Sequence, residues 1–168
     1  MVVLFIDTCN KELAVGLSKD DKLIYKKEYD AFKRQSEVLA KEIVECFKAC
    51  NVEAKDIDKV VVTNGPGSYT GIRIGLTFAK VFTSVLNKEL VLVSSLRALA
   101  GNKENTISLI DARSKRAYYG VYNKGKCLKE DTVDFLTNID VSGYNLVGDT
   151  YLFDENGNKS ISICANLF

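Results

Sequence analysis

The stretch "VVVTNGPGSYTGIRIG", residues 60–75, decides the fold. It opens on an all-apolar run, crosses a glycine-rich turn and enters a segment with helical periodicity. That order is the crossover of a parallel sheet, whose helices cover the sheet faces and whose strands read as continuous apolar runs. Asn64, Gly65 and Gly67 suit a tight turn, and Ser68 or Thr70 can cap the helix that follows. Free N–H groups at such a helix start favour an anion. The spacing matches neither phosphate motif, however. A phosphate loop of the form G-x-x-x-x-G-K-[ST] fails because Gly71 is followed by Ile72 and Arg73, and the dinucleotide fingerprint fails because Gly71 falls one residue late. A closely packed strand-to-helix turn is the preferred reading.

Outward from that turn the pattern is regular. "VVLFID" reads as a buried strand, and "ELAVGLSKDDKLIYKKEY" as two more about the polar turn "SKDDK". "RQSEVLAKEIVECFKACN" reads as a helix, "DKVVVTNG" as a strand and "TGIRIGLTFAKVFTSVLN" as a helix. "LVLVS" is a further strand and "SLRALA" the start of a helix. After "GNKEN" the series restarts with "TISLIDARSKRAYYGVYNKGKCLKEDTV" as three strands, and "NLVG" and "SISICANLF" read as two late strands. A three-strand meander followed by α-β-α-β gives a mixed sheet whose later strands run parallel to the first. The restart predicts an α/β protein of two related lobes, residues 1–101 and a reduced second lobe, 102–168.

Composition excludes several chemistries. The 168 residues include 23 Lys plus Arg against 22 Asp plus Glu, so no overall basic field gathers nucleic acid. Any RNA contact has to come from a local patch or a partner. No stretch approaches a membrane span or a signal h-region, and a cytoplasmic protein with no membrane partner is expected. The sequence holds no histidine, so neither a Ser-His-Asp or Cys-His nucleophilic site nor an H-E-x-x-H metal site can be built from it. Acid–base work would fall to a carboxylate, lysine or tyrosine. The five cysteines (Cys9, Cys46, Cys50, Cys127, Cys164) are read as buried small hydrophobes, with a zinc site as the alternative.

The helix after the glycine turn carries more apolar surface than one sheet can cover. Arg73, Thr77, Lys80 and Ser84 fall on a narrow stripe, and apolar residues cover roughly 220° of the rest, where about 100° suffices for a surface helix. Gly71, Gly75 and Ala79 form a ladder of small side chains that lets a backbone approach, either the sheet's or another helix's. The preceding helix has a related excess in Leu39, Ala40, Ile43, Val44, Cys46, Phe47 and Cys50. The two helices either cover each other on the sheet or jointly present an apolar face to another chain.

"NGPGSYTGIRIGLTFAK" (64–80) followed by "LVLVSSLRALA" (90–100) resembles the TsaB family, also called YeaZ. So do "FIDTCNKELAVGL" (5–17), "RQSEVL" (34–39) and "IDARSKRAYYGVY" (110–122). The resemblance covers roughly residues 1 to 125. It implies an actin-like/Hsp70-like ATPase fold in two lobes and a role in making N6-threonylcarbamoyladenosine at position 37 of tRNAs that read ANN codons. Within that pathway it implies a non-catalytic subunit, paired with a TsaD-type paralogue that carries the metal and transfers the group, and joined by a TsaE-type ATPase. A second copy of the chain is the alternative partner, and tRNA is reached through the complex. Family members carry "RHSE" where this chain has Gln35, and they commonly run longer, so a second lobe poorer in helices is expected.

Asp7 matches the aspartate that starts the phosphate turn in active ATPases of this fold, but Cys9 stands where a glycine is expected. The resemblance therefore implies no cofactor. An ATPase or kinase of the same fold is the alternative function, with Asp7, Gly65, Gly67 and Asp111 as its candidate residues. Asp111 is otherwise a turn residue ending a strand, and Asp7 a cap acting through Thr8. A metallopeptidase reading lacks its ligands. For the partner interface the candidates are Leu39, Ile43, Phe47, Ile72, Leu76 and Ala79.

Overall fold

The computed structural model describes residues 1–154. Three antiparallel strands open the chain: β1 (Val2–Asp7), β2 (Glu12–Lys19) and β3 (Lys22–Asp30). β1 is buried on both faces, which is why it reads as an unbroken apolar run. β4 (Lys59–Thr63) pairs parallel to β1, and β5 (Glu89–Val93) parallel to β4, giving the order β3-β2-β1-β4-β5. Parallel neighbours need crossovers, and the two crossovers are the long helices α1 (Gln35–Cys50) and α2 (Tyr69–Leu86).

Both helices end on an asparagine in the left-handed conformation, Asn51 and Asn87, whose N–H groups turn back to carbonyls of the last turn. Of the two hydroxyls that could cap α2, Ser68 does so, accepting from the Gly71 N–H at 3.2 Å. Leu39, Ile43 and Cys46 of α1 and Ala79 of α2 descend on Leu4, Ile6, Leu13, Val15, Leu17, Val60 and Val62 of the sheet. Each such Leu or Ile stabilises the fold by about 1.5–3 kcal/mol on burial. An ion pair at 2.6 Å from Lys27 to Glu42 ties α1 to β3, and the Tyr29 hydroxyl donates to the same carboxylate at 2.9 Å.

The expected restart is present. β6 (Thr106–Asp111), β7 (Arg116–Asn123), β8 (Lys126–Phe135) and β9 (Asn145–Gly148) form a second sheet in the order β8-β7-β6-β9. This repeats the β3-β2-β1-β4 order of the first, with β9 parallel to β6 as β4 is to β1.

Two expectations need adjustment. "SLRALA" is a complete six-residue helix, α3 (Ser95–Ala100), closed by Gly101 at φ 58°. It precedes residue 101 in sequence, yet Leu96, Leu99 and Ala100 pack with Ile110, Tyr122 and Val147 of the second sheet. The opposite face of that sheet, with Ile107, Leu109, Tyr119 and Val121, is covered by Leu136, Ile139, Val141, Leu152 and Phe153. No long helix covers it among the described residues; short turns do. The "SISICANLF" strand and Cys164 lie outside the described residues. Among the described residues no helix is long and apolar enough to cross a membrane.

Candidate functional site

The turn after β1 is where the candidate phosphate residue sits, and its polar groups are spent on the protein itself. Asp7 is buried, and its Oδ1 accepts from the Cys9 N–H at 3.0 Å and from the Thr63 hydroxyl in a short contact. The carboxylate caps the turn directly, whereas the cap was expected through Thr8. The Thr8 hydroxyl instead donates to the Gly71 carbonyl at 2.7 Å. The Cys9 carbonyl accepts from Ser68 N–H at 2.7 Å, and the Gln35 amide donates to the carbonyls of Asn10 (2.7 Å) and Thr8 (3.4 Å). A phosphate cradle needs backbone N–H groups pointing at open space. Here the space is filled by the glycine loop and the start of α2.

The glycines make that approach possible. A Cβ at Gly67 would lie 2.3 Å from the Cys9 carbonyl oxygen, at Gly71 1.9 Å from the Thr8 carbonyl oxygen, and at Gly75 2.5 Å from the Thr8 hydroxyl. The ladder Gly71, Gly75, Ala79 therefore serves the sheet, with Thr83 continuing it one turn further; these four are the buried positions of α2. The loop is a packing device, as the failed motif spacing indicated. Gly65 belongs to the same device: its carbonyl accepts from the Ser95 N–H at 2.8 Å and so joins the loop to α3.

Burial shapes the chemistry of the turn. It raises the Asp7 carboxyl above its ordinary range, against the pull of the Thr63 and Cys9 hydrogen bonds. Burial, and then the neighbouring Asp7, push the Cys9 thiol up to about 12, so it is no nucleophile at neutral pH. Cys46 is buried too, Cys50 half-buried and Cys127 exposed, so the reading of the cysteines as core hydrophobes fails at Cys127. Among the described residues no three His, Cys, Asp or Glu side chains gather as a metal site would need.

Asp111 sits far from this arrangement in role. Its Oδ1 accepts from the Arg113 N–H at 2.7 Å and its Oδ2 from the Tyr151 hydroxyl at 2.9 Å, which is the work of a turn residue. Burial, and then the hydrogen bond to Asp111, push the Tyr151 phenol up to about 12.

The structure separates the six interface candidates. Leu39, Ile43 and Ala79 are buried in the chain's own core, at 2%, 2% and 0% exposure, so they are not outward anchors. Phe47, Ile72 and Leu76 are half-buried. The sequence projection counted apolar positions correctly, but it had no sheet position to set which side of the arc is inward. The two helices touch through the Phe47 and Phe82 rings, 6.2 Å apart, and nearer their N-termini they part. A groove of about 510 Å³ opens there, lined by Leu39, Ala40, Ile74, Thr77 and Phe78, with Ser36, Thr70 and Arg73 at its rim. Val81 and Val85 continue this outer side of α2 at 58% and 77% exposure, and Val44 of α1 is half exposed at 50%.

Sequence reasoning missed three groups. Gln35 was noted as a missing histidine, whereas it is a buried amide pinning the turn. Thr63 ends a strand that read as apolar. Asp131 of β8 ties α3 to the second sheet, accepting from the hydroxyls of Ser94, the α3 cap, and Tyr122 of β7 in short contacts at one wall of a second groove of about 720 Å³. Nothing in local sequence marks the Ser94–Asp131 contact, because the two are 37 residues apart.

Two sheets of repeated strand order, with the nucleotide end of the first closed by its own glycine loop, define an actin-like, ribonuclease H-like α/β protein. A solved structure of YeaZ from Pseudomonas aeruginosa superposes with a TM-score of 0.76 at 21% identity, over 84% of this chain and 70% of that one. Another, of an uncharacterized protein with similarity to peptidase YEAZ from the same organism, gives 0.79 at 20% identity, over 86% and 73%. A family profile described as TsaD: tRNA N6-adenosine threonylcarbamoyltransferase matches residues 29–146. The tRNA threonylcarbamoyladenosine biosynthesis protein TsaB of Bacillus subtilis is 38% identical over 139 residues, covering 79% of this chain and 60% of that protein. The chain belongs to the TsaB family. It spans about 60% of the length of the first curated relatives it matches.

Proposed function

We propose that this chain is a non-catalytic subunit that binds and supports a TsaD-type transferase in forming N6-threonylcarbamoyladenosine at position 37 of tRNAs reading ANN codons. A TsaE-type ATPase joins the pair. The observation that carries the reading is the closed Asp7–Cys9 turn, where the glycine loop packs against the Thr8 and Cys9 carbonyls, the Cys9 and Ser68 N–H groups are already hydrogen-bonded and the Cys9 thiol is held protonated. The name of the Bacillus subtilis relative supports the pathway. The groove between α1 and α2 supports the partnership, since its Ala40, Ile74 and Phe78 walls suit the ridge of another helix.

Co-purification with a TsaD-type protein tests the reading, with t6A in tRNA measured in cells depleted of their own TsaB. Support of t6A formation, retention of the partner, and loss of retention in Ala40→Glu and Val81→Glu are expected. A charge buried there without a partner typically costs several kcal/mol, hence orders of magnitude in affinity. Tight ATP binding with turnover by the isolated chain would instead select the ATPase or kinase alternative.

A further inference from the structure

The C-terminal end of the first sheet carries two exposed aromatic rings, each attended by cations. Phe32 is 56% exposed, with the Lys33 and Lys11 ammonium groups 5.4 and 5.9 Å from its ring centre. Tyr69 is 74% exposed, with the Arg73 guanidinium 5.4 Å from its ring centre. Both platforms are fixed to one short turn. The Ala31 N–H donates to the Lys11 carbonyl at 3.1 Å, Gln35 holds Asn10, and the Ser68 N–H, next to Tyr69, holds Cys9. Lys33 has φ 64°, a left-handed conformation uncommon for lysine, between two exposed side chains, Phe32 and Arg34.

Among the described residues Lys11, Lys33, Arg34 and Arg73 enter no ion pair, although eight other ion pairs form. Asp30 spends one oxygen on the Phe32 N–H at 2.9 Å, and neither Glu12, adjacent to Lys11, nor Glu37, three residues beyond Arg34, forms an ion pair with these cations among the described residues. Four unpaired cations in a chain of net charge +1 are a local concentration of positive charge. Aromatic rings that accept stacked bases beside cations that accept phosphates are the two parts of a single-strand nucleic-acid site.

We infer that this face binds single-stranded RNA directly, bases stacking on Phe32 and Tyr69 and phosphates held by Lys11, Lys33, Arg34 and Arg73. The choice of RNA over DNA rests on the role in tRNA modification proposed above; the stacking and charge arguments do not. Arg73 also stands at the rim of the groove between α1 and α2, the side proposed above for the protein partner.

Fluorescence anisotropy of the full chain with a labelled unstructured RNA, and with the same sequence as a duplex, tests this between about 50 and 200 mM KCl. The single strand should bind more tightly than the duplex, and log K should fall against log salt with a slope of roughly −2 to −3, as about four phosphate contacts imply. Lys33→Glu with Arg34→Glu should weaken binding at least tenfold and flatten that slope. Phe32→Ala with Tyr69→Ala should weaken it at least about thirtyfold with the slope kept, the signature of lost stacking. Absence of salt-dependent single-strand binding, equal binding of the duplex, or an aromatic double variant of unchanged affinity each overturns the inference. Retained RNA affinity in the charge-reversed variant, with loss of the TsaD-type partner, would make the patch a protein contact and overturns it too. A chain that supports t6A formation yet binds no RNA refutes this inference and leaves the proposed function intact. RNA binding without such support does the reverse.

Discussion

Replacing Gly71 by alanine puts the closed turn under a direct mechanical test. The added Cβ would lie 1.9 Å from the Thr8 carbonyl oxygen, about 1.1 Å inside the 3.0 Å that real Cβ contacts respect. Both partners are backbone, so no rotamer change relieves the clash, and the start of α2 has to move away from β1. That movement strains packing by about 1–3 kcal/mol. It also stretches the Thr8 hydroxyl's hydrogen bond to the Gly71 carbonyl, a further loss of about 1 kcal/mol. Alanine's better helix propensity returns up to about 1 kcal/mol. The net expectation is a loss of about 1–3 kcal/mol. At about 2–4 °C per kcal/mol for a chain of this size, Tm should fall by roughly 2–12 °C. Thermal unfolding followed by circular dichroism reads the effect, with Thr77→Ala on the exposed side of the same helix as the control. A Gly71→Ala protein as stable as the control would show that the loop does not press on the turn, which would then be open enough to admit a phosphate.

Asp7→Asn keeps the oxygen that accepts from Cys9 and Thr63 but removes the buried charge. Because burial holds the folded-state pKa above the ordinary 3.8, the unfolded chain releases this proton first, and the carboxyl's contribution to stability falls as pH rises from about 4. The variant should therefore be at least as stable as wild type at pH 7, with an advantage that shrinks toward pH 4; an opposite trend in urea midpoints would refute the assignment. Ala79→Glu places a charge at a fully buried core position and should unfold the protein, whereas Val81→Glu, two residues on, should leave far-UV circular dichroism and Tm essentially unchanged. A maleimide at pH 8 should label exposed Cys127 rapidly and reach Cys9 only on unfolding, read by peptide mass spectrometry.

Much of the fold was legible because its strands and helices obey simple periods. The buried run of β1, the capped and glycine-laddered α2 and the repeat of a three-strand meander each carry their own signal. α3 was half legible: Ser94 announces its cap, but only the second sheet shows where its apolar side goes. The site was less legible. Asp7 stood out by motif, yet its burial depends on Thr63 and on Ser68 approaching from another strand and turn. Apolar arcs on α1 and α2 could be measured in sequence, but their phase against the sheet could not. That is why Leu39, Ile43 and Ala79 point inward while Ala40 and Val81 lie on the outer side. Cation–aromatic pairs such as Lys11 with Phe32 depend on strands meeting at one end of the sheet, and no local pattern marks them.

On the proposed function, threonylcarbamoyl transfer needs this chain without using its carboxylates chemically. Reconstituting t6A formation with a TsaD-type and a TsaE-type protein, and comparing wild type with an Asp7→Asn, Asp111→Ala double variant, tests that requirement. Omission of the chain should abolish modification, and the double variant should retain activity within a few fold. A loss of several orders of magnitude by the double variant, with the complex intact on gel filtration, would contradict it.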